Sequence, residues 1–218
     1  APTFAEYEQA LRAGNCSIAF FPLQEEEQFV LNNTFLQSLT PDIDLLFLCN
    51  PNNPTGRTIP QRLLDSIWRR CDELGILLVV DECFNDFLEY PEQHTLKGAV
   101  REGGTLILLK AFTKSFAMPG LRLGYCLCGD SQLAEQLFSS GQPWGVGGRD
   151  RSLAGNRIFG TDAFCDLQGT TMAFPTACRT RIAGVSRGGQ LSALSHERRI
   201  AVTAAFGEAG STSPSSWT

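Results

Sequence analysis

Apolar residues run almost unbroken through Leu45–Cys49, Ile76–Val80 and Leu106–Leu109, and return from Leu121 to Cys128. Runs of four to eight such residues bounded by turn residues read as strands, and a strand apolar at nearly every position is buried on both faces of its sheet. Between the first two runs the period changes. Leu63, Leu64, Ile67, Trp68, Cys71 and Leu74 recur at helical spacing, so this segment lays one apolar stripe on the sheet. Thr58-Ile59-Pro60-Gln61 predicts its start, as a capping box with a proline in the first turn, and Gly75 predicts its end. Earlier in the chain, Glu6 to Arg12 reads as a helix and Ser17–Phe21, between Asn15 and Pro22, as a strand. Later, Ser131 is expected to cap a helix running through Phe138. Strands alternating with helices predict right-handed β-α-β units, and so an α/β fold of three layers, α/β/α, with a mostly parallel sheet.

The polar residues that follow the apolar runs carry the chemistry. Asn50-Pro51-Asn52-Asn53-Pro54-Thr55-Gly56 follows the first run, Asp81-Glu82-Cys83-Phe84 the second, and Ala111-Phe112-Thr113-Lys114 the third. In a parallel sheet such ends converge on one crevice, where ligands bind. Lys114, just past a buried run, is expected to be poorly hydrated, and desolvation favours the neutral, nucleophilic amine that forms an imine with an aldehyde. Arg122, between Gly120 and Gly124, offers a fixed guanidinium to an anion. An amine for an aldehyde and an arginine for a phosphate point together to pyridoxal 5'-phosphate. Each residue also has a plain reading: Lys114 as a surface lysine, Asp81 as a helix cap, Asn53 as turn chemistry, Arg122 as an ion-pair residue.

With these three clusters in this order, the sequence resembles the fold-type I pyridoxal-phosphate enzymes, specifically the class I/II aminotransferases. Its nearest likeness is to the threonine-phosphate decarboxylases of cobalamin synthesis and the histidinol-phosphate aminotransferases. The resemblance covers residues 1 to about 146 and implies an incomplete large domain of the pyridoxal-phosphate transferase type. It also implies roles. Lys114 would carry the cofactor and move protons, and Asp81 would meet its pyridine nitrogen. Asn53 would bond the ring oxygen, after which a cis bond to Pro54 is often found, and Phe4 would lie on the ring. Arg122 and Thr113 would hold the phosphate. Phe84 stands where most aminotransferases have a tyrosine, which favours the decarboxylase branch, and Ala111 replaces a serine or threonine that binds phosphate in many members. The implied substrate is a small amino acid, possibly phosphorylated, and the implied full-length parent is a homodimer. A histidinol-phosphate or other amino-acid aminotransferase, or a catalytically inactive piece, is the alternative reading.

Composition narrows the remaining classes. The chain has 218 residues, 43% of them hydrophobic, enough for a sizeable core. A formal net charge of −5 gives no footprint for nucleic acid. No apolar run has membrane-spanning length and no signal segment opens the chain, so a cytoplasmic protein is expected. The eight cysteines form no C-x-x-C pair and read as reduced, buried residues. With two histidines, no metal site is expected. Ala1-Pro2-Thr3-Phe4 reads as mid-domain, so the chain is expected to be truncated at its N-terminus, and weak cofactor binding with little turnover is the corresponding expectation. From Gly147 to Thr218 the chain is rich in Gly, Arg, Ser, Thr and Ala with little period. Suitable codons for Gly148 to Leu153, read one base later, can spell a helix-like string. Residues 147–218 are therefore expected to be a frameshifted translation, with a disordered linker as the alternative.

Overall fold

The computed structural model describes residues 3–117, 124–140, 165–166 and 199–202. Its strands are β1 (Ser17–Phe20), β2 (Ile43–Cys49), β3 (Leu77–Asp81), β4 (Leu106–Ala111), β5 (Gly124–Cys128), β6 (Cys165–Asp166) and β7 (Arg199–Val202). They form one sheet in the order β1-β7-β2-β3-β4-β5-β6. The pairs from β1 through β4 are parallel, and β5 and β6 are antiparallel to their neighbours. The expected α/β fold with a mostly parallel sheet is what the chain adopts. Within residues 147–218, β6 and β7 pair with the sheet; the other residues of that stretch lie outside the described ones.

The continuous apolar runs became strands because each strand faces a core on both sides. Leu46 and Leu48 of β2, Leu78 and Val80 of β3, and Leu106 and Leu108 of β4 enter one core with Leu63, Leu64 and Ile67. The alternate residues Leu45, Phe47, Leu77, Val79, Ile107 and Leu109 enter the other, with Tyr7 and Leu11. Helix α1 (Glu6–Ala13) covers this second face and α2 (Gln61–Leu74) the first. Burying a leucine or isoleucine stabilises by about 1.5–3 kcal/mol, so α2 is held chiefly by its stripe of Leu63, Leu64, Ile67 and Cys71.

The ends of the helices show where local signals were overridden. At the C-terminus of α2, Gly75 takes the left-handed conformation (φ 73°) as expected, and its N–H bonds to the Asp72 carbonyl. The expected capping box at Thr58 does not form. Pro60 occupies the cap position with no side-chain bond, and the Gln61 amide is bound elsewhere: it donates to the Thr95 carbonyl and Asp65 and accepts from the Thr95 N–H. In α5 (Ser131–Ser140) the cap is Asp130 rather than Ser131, since the Leu133 N–H donates to the Asp130 carboxylate at 2.9 Å. Two short helices, α3 (Lys97–Val100) and α4 (Phe112–Ser115), flank β4. Gly129, after β5, lies where the chain passes the Val100 carbonyl; a Cβ there would stand 2.0 Å from that oxygen.

Candidate functional site

The three polar clusters meet. Because β2, β3 and β4 are parallel neighbours, Cys49 pairs with Asp81, and Asp81 with Leu109, so all three strands end at one rim. The Asn50 N–H bonds to the Asp81 carbonyl, and the Glu82 N–H to the Leu109 carbonyl, carrying the pairing one step past the strands.

Asp81 is the last residue of β3 and is 8% exposed. Both carboxylate oxygens are held. Oδ1 accepts from the Cys83 N–H at 2.9 Å, and Oδ2 accepts from the Tyr7 hydroxyl. Tyr7 lies in α1, its ring stacked on Phe47 (centroids 4.3 Å apart) and edge-on to Phe4 at 5.5 Å. Burial, and next the Asp81 charge, push the Tyr7 phenol well above its ordinary range, so it stays a donor. The same two causes raise the Cys49 thiol to about 12 and the Cys83 thiol as well.

The remaining predicted residues distribute around this carboxylate. Phe4 is 40% exposed and rests against Tyr7. Asn53 is half-buried and its peptide to Pro54 is cis, while the Cys49 thiol donates to the Pro51 carbonyl of the same turn at 3.3 Å. The Asn50–Pro51 peptide is also cis. Thr113 and Lys114 lie in α4, directly after β4. The Lys114 ammonium stands 5.4 Å from the centre of the Phe84 ring, a cation–π distance that links the lysine turn to the loop carrying Asp81. Arg122 lies outside the described residues.

One expectation is corrected. Lys114 is exposed; the buried lysine is Lys110, 6% exposed, four residues earlier. The strand continues through Lys110 to Ala111 and a helical turn then carries Lys114 out to the rim, so the end of the apolar run does not desolvate it. Lys110 pairs with Glu82 at 3.2 Å and Asp86 at 3.3 Å and donates to Asn85 at 3.2 Å. Glu82 also accepts from the Thr95 hydroxyl and the Leu96 N–H, and Asp86 accepts from the Ser115 hydroxyl. This network was missed from the sequence, although a lysine within an apolar strand is itself a signal. Such a residue needs an acid nearby.

A mostly parallel sheet flanked by helices, with a lysine, an aspartate and an asparagine at one rim, defines the fold of pyridoxal-phosphate-dependent transferases. Residues 1–153 match the family described as aminotransferase class I and II, and the chain belongs to that family, whose members use pyridoxal phosphate. Threonine-phosphate decarboxylase of Salmonella typhimurium is 40% identical over 145 residues, which is 66% of this chain and 39% of that protein. Histidinol-phosphate aminotransferase of Methanococcoides burtonii is 33% identical over 146 residues, 66% of this chain and 38% of that protein. Among solved structures, the histidinol-phosphate aminotransferase from Clostridium acetobutylicum superposes with a TM-score of 0.61 at 28% identity, covering 66% of this chain and 42% of that one. A Thermus thermophilus aspartate aminotransferase variant gives 0.54 at 28% identity, covering 61% and 34%. The chain thus spans about two fifths of the length of the curated relatives it matches.

Among the described residues no group of His, Cys, Asp and Glu is arranged to hold a metal ion, and no helix is long and apolar enough to cross a membrane. Cys16, Cys49, Cys71, Cys83, Cys126 and Cys128 are free thiols, and all but Cys16 and Cys83 are buried.

Proposed function

We propose that this chain carries the cofactor side of an amino-acid enzyme that uses pyridoxal 5'-phosphate, most like threonine-phosphate decarboxylase. The observation that carries it is the meeting, at one rim, of a buried aspartate with both oxygens already held and a lysine whose ammonium lies over the ring of Phe84. The residues present fit the cofactor. Asp81 is an anion aimed by two donors and suits a protonated pyridine nitrogen. Phe4 offers an exposed aromatic face on the same side, through Tyr7. When bound, pyridoxal phosphate supplies an electron-withdrawing ring that stabilises the charge left when a bond at the substrate's α-carbon breaks.

In this reading Lys114 holds the cofactor covalently and moves a proton at the α-carbon, Asp81 keeps the ring nitrogen protonated, and Asn53 donates to the ring oxygen. Phe84 packs at the site without a hydroxyl to offer. Thr113, with Arg122, bonds the phosphate. Lys110 is excluded from the covalent role because its ammonium is already engaged by Glu82, Asp86 and Asn85.

The decarboxylase reading is supported by the 40% identity to the Salmonella enzyme and by Phe84. A second reading, an aminotransferase, is favoured by the 0.61 superposition on the Clostridium acetobutylicum protein. A homodimeric, cytoplasmic protein acting on a small, phosphorylated amino-acid substrate completes the proposal, as does a division of the chain near residue 146 with an out-of-frame segment after it.

Borohydride reduction of the chain with pyridoxal phosphate, followed by peptide mass spectrometry, tests the site. The adduct is expected on Lys114 and not on Lys97 or Lys110; labelling of Lys110, or equal labelling of all three, would sink the assignment. Carbon dioxide release from threonine phosphate, against amino transfer to an oxo acid, separates the two reactions.

A further inference from the structure

We infer that Tyr7 is a positioning residue that aims the Asp81 carboxylate at the ring nitrogen of the bound cofactor, an inference that rests on the site proposed above. Nothing in the resemblance assigned Tyr7 a role, and its position in α1 is 74 residues from the acid it meets.

The geometry makes the case in three steps. Asp81 ends its strand at the rim, its backbone fixed between Cys49 and Leu109 of the neighbouring strands, while its side chain leaves the sheet on the α1 face. A free carboxylate there could turn about its own Cβ–Cγ bond. Two donors from different elements prevent this: the Cys83 N–H fixes Oδ1 from the loop that follows β3, and the Tyr7 hydroxyl fixes Oδ2 from α1. The phenol is itself immobile. Tyr7 is 1% exposed, stacked on Phe47 and braced by Phe4, so its hydroxyl has one place to go. A charged acceptor held by two fixed donors needs no rearrangement when its partner arrives, and a functional group supported in this way loses little on binding.

The arrangement also ties two parts of the proposed site together. Phe4, which the resemblance lays against the cofactor ring, and Asp81, which it puts at the ring nitrogen, both touch Tyr7. Tyr7→Phe removes the hydroxyl alone and keeps the ring that Phe4 and Phe47 pack on, so it separates aiming from packing.

The test compares pyridoxal phosphate with its 1-deaza analogue, which has C–H in place of the ring nitrogen. Dissociation constants are measured for the chain as it stands and for Tyr7→Phe, Asp81→Asn and the double variant. The unaltered chain should prefer the natural cofactor by about tenfold, the worth of one hydrogen bond to a charged group. Tyr7→Phe should cut that preference roughly fivefold and leave the analogue's affinity unchanged. In the Asp81→Asn background it should change neither. Equal weakening of both ligands by Tyr7→Phe, or a full effect without Asp81, overturns the inference. A chain that binds both ligands equally well while still trapping pyridoxal on Lys114 removes Asp81 from the ring nitrogen and takes the inference with it, though not the lysine assignment. A chain that traps nothing sinks the site itself. Should Tyr7→Phe fail to fold, spectrophotometric titration without cofactor decides: Asp81→Asn should lower the titration of the Tyr7 phenol, which burial still holds above its ordinary range, and an unmoved titration overturns the pairing.

Discussion

The ammonium of Lys110 lies 3.2 Å from the carboxylate of Glu82, with side-chain exposures of 7% and 0%. β4 and the residue after β3 are thereby joined by an ion pair inside the core that holds Leu96, Leu106 and Leu108. Removing one charge of such a pair leaves the other buried alone. Lys110→Met should therefore destabilise the chain by about 3–5 kcal/mol, and adding Glu82→Gln should recover part of the loss. Denaturant unfolding of the single and double variants measures both.

Asn50 makes a second interior bridge. It is fully buried, donates to the His94 carbonyl at 2.9 Å and accepts from the Ile59 N–H at 2.8 Å. Asn50→Ala leaves the Ile59 N–H without a partner and the His94 carbonyl with the Asn85 amide alone, at a cost of about 1–3 kcal/mol. A fall in melting temperature, with faster hydrogen exchange at the Ile59 amide, is the expected result.

Gly75 and Gly129 should respond to alanine for different reasons. At Gly75 nothing stands within 4 Å of a new Cβ, and the cost is the left-handed backbone alone, about 1 kcal/mol. At Gly129 the Cβ would overlap the Val100 carbonyl, so α3 and β5 must part. Gly129→Ala is expected to cost more than Gly75→Ala, by about 1–3 kcal/mol, and chemical denaturation of the two side by side shows the order.

Stability should fall in alkali. Burial raises the Cys71 thiol from 9.0 to about 12, and burial with the Asp81 charge raises Cys49 equally. The unfolded chain loses these protons first, so the contribution is complete below pH 9.0 and is lost as pH rises toward about 12. Each thiol should add a slope of about 1.4 kcal/mol per pH unit within that window. Cys71→Ala should remove its share of the slope, which urea titrations at several pH values resolve.

The strands and α2 were legible because their burial is written in single residues: an unbroken apolar run, or one repeating every three to four positions. The convergence of Asn53, Asp81 and Lys114 was legible for the same reason, since parallel strands must end together. What depended on a partner far along the chain was not. Tyr7 is an unremarked aromatic until α1 lies over β3, and Gln61 looks like a capping residue until Thr95 arrives to take its amide. Lys114 was placed correctly at the rim, but its hydration was not, because one helical turn after Ala111 separates it from the apolar run.

Asp81 and Glu82 stand side by side in the chain yet serve opposite compartments: odd positions of β3 look toward α1, even ones toward α2. Every residue of β3 before Asp81 is apolar, so a deletion of one of them would still present apolar side chains to both cores. It would nonetheless exchange the two carboxylates, delivering the ion-paired one to the phenol and leaving Lys110 with the half-exposed Asp86 as its remaining acidic partner. The strand's parity, more than its oiliness, is therefore what this site inherits from the fold.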